Sequence, residues 1–410
     1  MSNYKFRHLS FLKKEIILSM ENYSINEKQD EKKGCIRMIF VLDIGTRSIV
    51  GLLGKQQGEK ILVQHAVMEF HKKRVMYDGQ IHDIEGVMGI IKKVKDRLEE
   101  KSGFPLKEVS IAAAGRTLKT FQTVIERDLD EYKEIDRDLV NSVKIEGIQE
   151  AQRILEENNN EITNYFCVGH TVINYYLDDG LITSPVGHRG RKLKLEVLAT
   201  FLPKVVVDSL YVVMSKIGLE IAYLTLEPIA AIEVAVPENM RLLNIALVDI
   251  GAGTSDIAIT KEGTVTAYGM TSTAGDEITE ELARAYLLDF DKAEKIKCNL
   301  CMEKIQRFID IVGTSHEVKS EEILDRIQPA IELVGKGIAK NILKQNGKSP
   351  SVVFLIGGGS QIPRLNTLIA NYLDLPEERV VIRGMEMIQN LEWNTSFIKG
   401  PEGITPVGIL

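Results

Sequence analysis

Two short segments hold the residue types best suited to phosphate chemistry. One is Asp43-Ile44-Gly45-Thr46, followed by Arg47; the other runs from Asp249 and Ile250 through Gly251, Ala252, Gly253, Thr254 and Ser255 to Asp256. Each closes an apolar run and opens a tight turn. At such a turn Gly45, Gly251 and Gly253 let backbone N–H groups approach phosphate oxygens, and Thr46 and Thr254 add hydroxyls. Asp43 and Asp249 are acceptor-only at neutral pH and would repel a bare phosphate. They fit such a place if they face a divalent cation or its water shell. One copy alone reads as an ordinary polar hairpin. Two copies facing each other across a cleft could clamp a phosphate chain from both sides. Asp256, opening the returning strand, could brace the turn or stand behind the cation's shell.

Three further features could complete such a site. Glu227 lies between a strand-like run and a proline-started helix, where a carboxylate can orient a water for attack on a phosphoryl group; alone it reads as a helix-start carboxylate favoured by the dipole. Gly357-Gly358-Gly359 joins a strand to a helix and lets a flat ligand approach the backbone. It is not a Walker loop, because no Gly-Lys-Ser/Thr follows. Gly275 precedes a helical, charged region in which Glu294 and Lys297 could reach ribose hydroxyls; the plain reading is a solvated helix face. Cys298 and Cys301 form a lone Cys-x-x-Cys with no second pair and only His316 nearby, which reads as two thiols near a helix end rather than a zinc site.

The elements that must position these residues alternate between strands and helices. Residues 39–54 and 245–259 are similar to each other, and a third strand follows each (61–70 and 264–268), so the chain contains two related halves. Val87, Ile91, Val94 and Leu98 recur at helical spacing, and Gly103 and Pro105 end that helix. A strand at 109–113, a helix carrying Val206, Leu210, Val213 and Ile217, a strand at 221–226, a helix at 229–236 and a strand at 352–356 follow. Such alternation predicts α/β layers. Residues 118–204 break the rhythm, with charged helical parts and then short strands, and read as an inserted module. Residues 276–349 read as mostly helical.

The chain has 410 residues, enough for two or three domains, and its 44% hydrophobic content supplies their cores. Net charge is -7 with no long basic run, which argues against nucleic acid as the main partner. No stretch approaches the roughly 20 apolar residues needed to cross a bilayer. Residues 1–37 read as a flexible leader without a signal-peptide pattern, and Met38 stands just before the first strong strand. Nothing implies disulfides, and a cytoplasmic location is expected.

In combination and order these segments resemble the ATPase superfamily of actin, the heat-shock chaperones and the sugar kinases. The resemblance spans about residues 38–410. It implies an actin-like fold with two RNase H-like domains facing across a nucleotide cleft that holds ATP and Mg²⁺. Asp43, Asp249 and Glu227 would be the catalytic carboxylates, with the first two at the metal. Gly45, Thr46, Arg47, Gly251, Gly253, Thr254, Asp256, Gly275, Glu294, Lys297, Gly357, Gly358 and Gly359 would face the nucleotide. Within the superfamily the chain is similar to FtsA, the actin-like bacterial division protein. The similarity lies in residues 79–85, in Ser184, Pro185, Gly187, Gly190, Arg191 and Leu193 of the inserted module, and in residues 218–221 and 226–231. It implies domains at 38–117, 205–275 and 350–410, an FtsA-type inserted subdomain at 118–204 and a nucleotide-facing subdomain at 276–349. It further implies filament formation, recruitment of a tubulin-like division protein and at most slow ATP hydrolysis. FtsA proteins end in a membrane-binding amphipathic helix. Residues 405–410 read instead as a last core helix, which leaves residues 6–20 as a weak candidate for peripheral attachment at the inner membrane face. PilM-type pilus platform proteins share the layout, and a chaperone-like ATPase is the other alternative.

Overall fold

A computed structural model describes residues 38–58, 60–114, 118–158, 164–393 and 400–410. The leader, including the attachment candidate at residues 6–20, lies outside them. Among the described residues no helix is long and apolar enough to cross a membrane.

The first lobe begins with β1 (Ile39–Ile44), β2 (Ser48–Gln57) and β3 (Lys60–Phe70) in an antiparallel meander. A small hairpin, β4 (Met76–Tyr77) with β5 (Gln80–Ile81), leads to helix α1 (Ile84–Ser102). Asp83 caps α1 by accepting from the Gly86 N–H, and Gly103 ends it with φ 79°, a left-handed conformation that glycine adopts without Cβ strain. Then β6 (Glu108–Ala113) pairs parallel with β1. Val87, Ile91, Val94 and Leu98 bury the inner face of α1 against the sheet.

Between β6 and the next helix comes a separate sheet: β7 (Lys119–Glu134), β8 (Tyr165–Leu177), β9 (Gly180–Ile182) and β10 (Arg189–Pro203), ordered β7-β10-β8-β9 and covered by helix α2 (Arg137–Glu157). Here the structure differs from the sequence reading. Residues 119–134 form a long strand, not charged helix. From Phe121 to Leu129 the odd positions are covered and the even ones exposed, so the period is two, with Glu126 and Asp128 on the outer face and Arg127 turned to Ser142 of α2. The lobe closes with α3 (Lys204–Lys216), β11 (Glu220–Leu226), which pairs parallel with β6, and α4 (Glu227–Ala235).

The second lobe repeats the scheme. β12 (Ile245–Ile250), β13 (Ser255–Lys261) and β14 (Thr264–Thr271) form the meander. Helices α5 (Gly275–Tyr286) and α6 (Phe290–Asn299), the hairpin β15 (Ile305–Ile309) and β16 (Ser315–Lys319), and helix α7 (Ser320–Asn346) follow, so the expected helical stretch also contains two strands. The chain then runs through β17 (Val352–Ile356), helix α8 (Leu365–Tyr372), β18 (Val380–Ile382), β19 (Leu391–Trp393) and α9 (Ile404–Ile409). β17 pairs parallel with β12, and β18 with β17.

The sheet orders expose the duplication. The first is β11-β6-β1-β2-β3-β19 and the second β14-β13-β12-β17-β18. In chain order both contain a three-strand meander whose first strand is flanked by two parallel strands. Strand β19, from the C-terminal part of the chain, crosses back to pair with β3 of the first lobe. A shared core of Val41, Leu52, Ala231, Ile232, Leu247 and Val407, among others, joins the lobes. There α4 and α9 approach so closely that a Cβ on Gly408 would lie 2.0 Å from the Ala230 carbonyl oxygen, a contact only glycine permits.

Candidate functional site

The two Asp-Ile-Gly turns are built alike. Asp43 pairs with Val50 across its hairpin and Asp249 with Asp256. Gly45 N–H donates to the Ser48 carbonyl at 3.0 Å and Gly251 N–H to the Thr254 carbonyl at 2.9 Å. Apolar strand residues bury the stems, so each turn is held at the end of its sheet by the core beneath it. His71 Nε2 lies 3.1 Å from the Gly45 carbonyl; the carbonyl can only accept, so this nitrogen donates.

The structure brings the two turns into contact. A Cβ on Gly253 would lie 2.8 Å from Asp78 N and 2.9 Å from Thr46 Oγ1, both in the other lobe. Thr46 Oγ1 accepts from the Gly79 N–H at 3.1 Å, and Gly79 in turn lies against the Thr254 side chain. The β4–β5 turn thus wedges between the two motifs. Gly275 N–H donates to the Gly251 carbonyl at 3.2 Å and Asp276 N–H to the Ala252 carbonyl at 2.7 Å, which ties the start of α5 to the second turn. The glycine run lies on the same turn from another side. A Cβ on Gly357 would fall 2.2 Å from Asp249 Oδ1, and one on Gly359 2.9 Å from the Ile250 carbonyl, whereas Gly358 faces open space.

Four carboxylates gather behind the turns. Burial, together with the charge of Asp249, pushes Asp43 up to about 7. Burial pushes Asp249 up to about 6, partly offset by a hydrogen bond from Thr405 Oγ1 to its Oδ2. Glu227, the first residue of α4, is held well above the usual carboxylate range by burial and then by Asp256, Asp43 and Asp249. Crowded acids of this kind favour protonation unless a cation joins them. Among the described residues no group of three or more Asp, Glu, His or Cys is arranged to ligate a metal directly. A divalent ion here would therefore complete its shell with water or phosphate oxygens, the usual habit of Mg²⁺.

Glu294 and Lys297 form the far wall. Lys297 Nζ contacts Glu294 Oε2 at 2.7 Å, the Gly275 carbonyl at 2.9 Å and Thr279 Oγ1 at 2.8 Å. Arg47 crosses from the first lobe to Glu294 Oε1 at 2.6 Å and to Cys298 Sγ at 2.9 Å. Burial alone would raise Glu294, but Lys297 and Arg47 outweigh it and hold its carboxyl below the ordinary value. Every candidate residue named from the sequence thus falls in one contiguous region where the lobes meet.

Several neighbours carried no sequence signal. Arg74 bridges the lobes by donating to Asp276 at 2.9 Å and Glu280 at 2.8 Å, and its guanidinium packs over the rings of Tyr77 and Phe290. Thr405 reaches Asp249 from 156 residues away. The β4–β5 turn belongs to a segment that the sequence singled out, residues 79–85, but not as part of a site.

The family model for cell division protein FtsA matches residues 246–408. Cell division protein FtsA of Pseudomonas aeruginosa is 24% identical over 91% of this chain and 88% of its own length. The Bacillus subtilis FtsA is 24% identical over 81% and 76%. Among solved structures, the PilM-PilN type IV pilus biogenesis complex superposes with a TM-score of 0.61 at 15% identity, covering 92% of this chain and 98% of that one. Ethanolamine utilization protein EutJ from Carboxydothermus hydrogenoformans gives 0.50 at 17% identity, covering 91% and 89%. The chain is FtsA-like in sequence over most of its length, and its fold is actin-like.

Proposed function

We propose that this FtsA-like chain is an ATP-binding protein of bacterial cell division, a nucleotide-dependent polymerising adaptor that recruits a tubulin-like division protein. The observation that carries the nucleotide reading is the meeting of two glycine turns from opposite lobes, Gly253 against Thr46 and Asp78, with four carboxylates behind them. Donor-rich turns and an acidic cluster fit a phosphate chain bridged by a divalent cation, and neither half fits alone.

In this reading the backbone and hydroxyls of Thr46, Gly251, Gly253 and Thr254 would hold phosphates, and Arg47 and Asp256 would support the turns. Asp43 and Asp249 would hold the water shell of Mg²⁺. Gly357, Gly358 and Gly359 would lie under the adenine, with Gly275, Glu294 and Lys297 towards the ribose. When bound, Mg-ATP supplies a polyanion and a cation that together neutralise the site. Residues of both lobes would then share one ligand, which favours the closed arrangement by differential contact. Glu227 would orient water. Slow turnover, with ATP serving mainly as a structural ligand, is carried by the likeness to FtsA. The adaptor role, the domain assignments and a cytoplasmic site at the inner membrane face are carried by the likeness to FtsA.

The test is calorimetry of the purified chain with Mg-ATP, and then with the C-terminal tail peptide of a bacterial tubulin-like division protein. Saturable ATP binding that Asp249→Ala abolishes, together with tail binding and ATP-dependent sedimentation of polymers, is the expected result. ATP binding without tail binding would remove the adaptor reading and keep the nucleotide site. Absence of ATP binding would remove both.

A further inference from the structure

We propose that Cys298 and Cys301 form a thiol–disulfide switch on the nucleotide site. The proposal rests on the nucleotide reading above, because its output is the affinity of the cleft.

Each thiol touches a different wall. Cys298 Sγ accepts from Arg47 Nη1 at 2.9 Å and lies 3.6 Å from Glu294 Oε1, so it joins the charge bridge between the lobes. Cys301 Sγ donates to the Gln361 carbonyl at 3.0 Å, and Gln361 ends the short turn Gly358–Gln361 that continues the glycine run. A pair three residues apart therefore links the first phosphate turn, the Glu294 wall and the glycine turn.

The switch requires the two sulfurs, now held on different partners, to meet. Cys298 lies in the last turn of α6, and the following Leu300 keeps a right-handed helical conformation. Residues at i and i+3 of a helix have Cβ atoms about 5–6 Å apart, whereas a disulfide needs about 3.5–4.5 Å. Closing that gap would take a shift of the chain at the end of α6 that draws both sulfurs off their present partners. Cys301 is exposed and Cys298 partly exposed, so a small-molecule disulfide can reach them.

The reaction balances with glutathione disulfide as oxidant. One cysteine attacks it and releases one glutathione; the second cysteine then displaces the other. The glutathione S–S bond breaks, the Cys298–Cys301 bond forms, and the two thiol protons leave with the two released glutathiones. The new bond removes the thiol hydrogen that Cys301 donates to Gln361 and draws Cys298 from Arg47. Oxidation therefore loosens both walls and weakens nucleotide binding.

The experiment compares the reduced full chain with the same chain after glutathione disulfide treatment, alongside Cys301→Ser, in which the pair cannot close. Intact and peptide mass spectrometry identifies the bond. A fluorescent ATP analogue reports affinity, and hydrogen exchange reports the amides of residues 45–48 and 357–361. The expected result is a Cys298–Cys301 bond, affinity about fivefold weaker, as for the loss of one net hydrogen bond, and faster exchange in both segments. Dithiothreitol should reverse all three changes, and Cys301→Ser should show none. Failure of the bond to form overturns the switch, as does a formed bond that leaves both affinity and exchange unchanged. If the reduced chain binds no nucleotide while oxidation still speeds exchange at both walls, the nucleotide reading falls and the thiol switch stands.

Discussion

The first and second glycine turns have the same length and the same internal hydrogen bond, yet they do different work. The hairpin registers align Asp43 with Asp249, Gly45 with Gly251, Arg47 with Gly253, and Val50 with Asp256. At the third turn position one lobe extends a long cation and the other removes its side chain altogether. Arg47 crosses the cleft to Glu294 and Cys298. Gly253 leaves the space into which Thr46 and the Asp78 backbone fit. The duplicated unit has divided its labour into an arm and a slot, and the interface between lobes needs one of each. The acids differ too. Asp249 has the Thr405 hydroxyl on it and is pushed only to about 6, whereas Asp43 is pushed to about 7.

The largest test of that difference is pH. Both aspartates have folded values above their unfolded value near 4. Their contribution to stability is therefore full below pH about 4 and is lost as pH rises through about 6 for Asp249 and about 7 for Asp43. In urea titrations without ligand, the parent should lose roughly 3–4 kcal/mol relative to Asp43→Asn between pH 4 and pH 8. For Asp249→Asn the corresponding loss should be smaller and should end nearer pH 6. Saturating Mg-ATP should flatten both curves. Equal curves for the two variants would break the comparison.

The slot comes next. Gly253→Val places branched carbons against the Thr46 hydroxyl and the Asp78 backbone, whose atoms cannot swing away, and overpacking of this kind costs about 1–3 kcal/mol. Affinity for Mg-ATP should fall by roughly ten- to a hundredfold, with circular dichroism unchanged. An affinity within a factor of two of the parent would mean that the lobes do not close on this glycine.

The arm gives the smallest effect. Arg47 is partly exposed and Glu294 retains Lys297 when it is lost, so Arg47→Ala should cost about 1 kcal/mol of lobe closure. This would appear as an affinity for Mg-ATP about fivefold weaker and more salt-tolerant than the parent's. A larger loss than that of Gly253→Val would reverse the order of arm and slot.

The sequence by itself determined the repeat, most of the alternating elements and the residue types of the site. Short-range signals carry those features: apolar runs ending in Asp-Ile-Gly, helical spacing at Val87, Ile91, Val94 and Leu98, and glycines where a chain must turn. The sequence misread residues 119–134, where dense charge masked a period of two that shows only once α2 covers one face of the strand. It could not show which turn supplies the arm, since Arg47 becomes a cross-lobe residue only when α6 is brought opposite it. Nor could it couple Thr405 to Asp249, or Arg74 to Asp276 and Glu280. Those pairs are 156, 202 and 206 residues apart, and no local periodicity records such distances. Tertiary structure also decided the acidity of the carboxylates. A pKa depends on the volume of low-dielectric protein and the charges around a group, and both exist only after the two sheets have packed on their shared core.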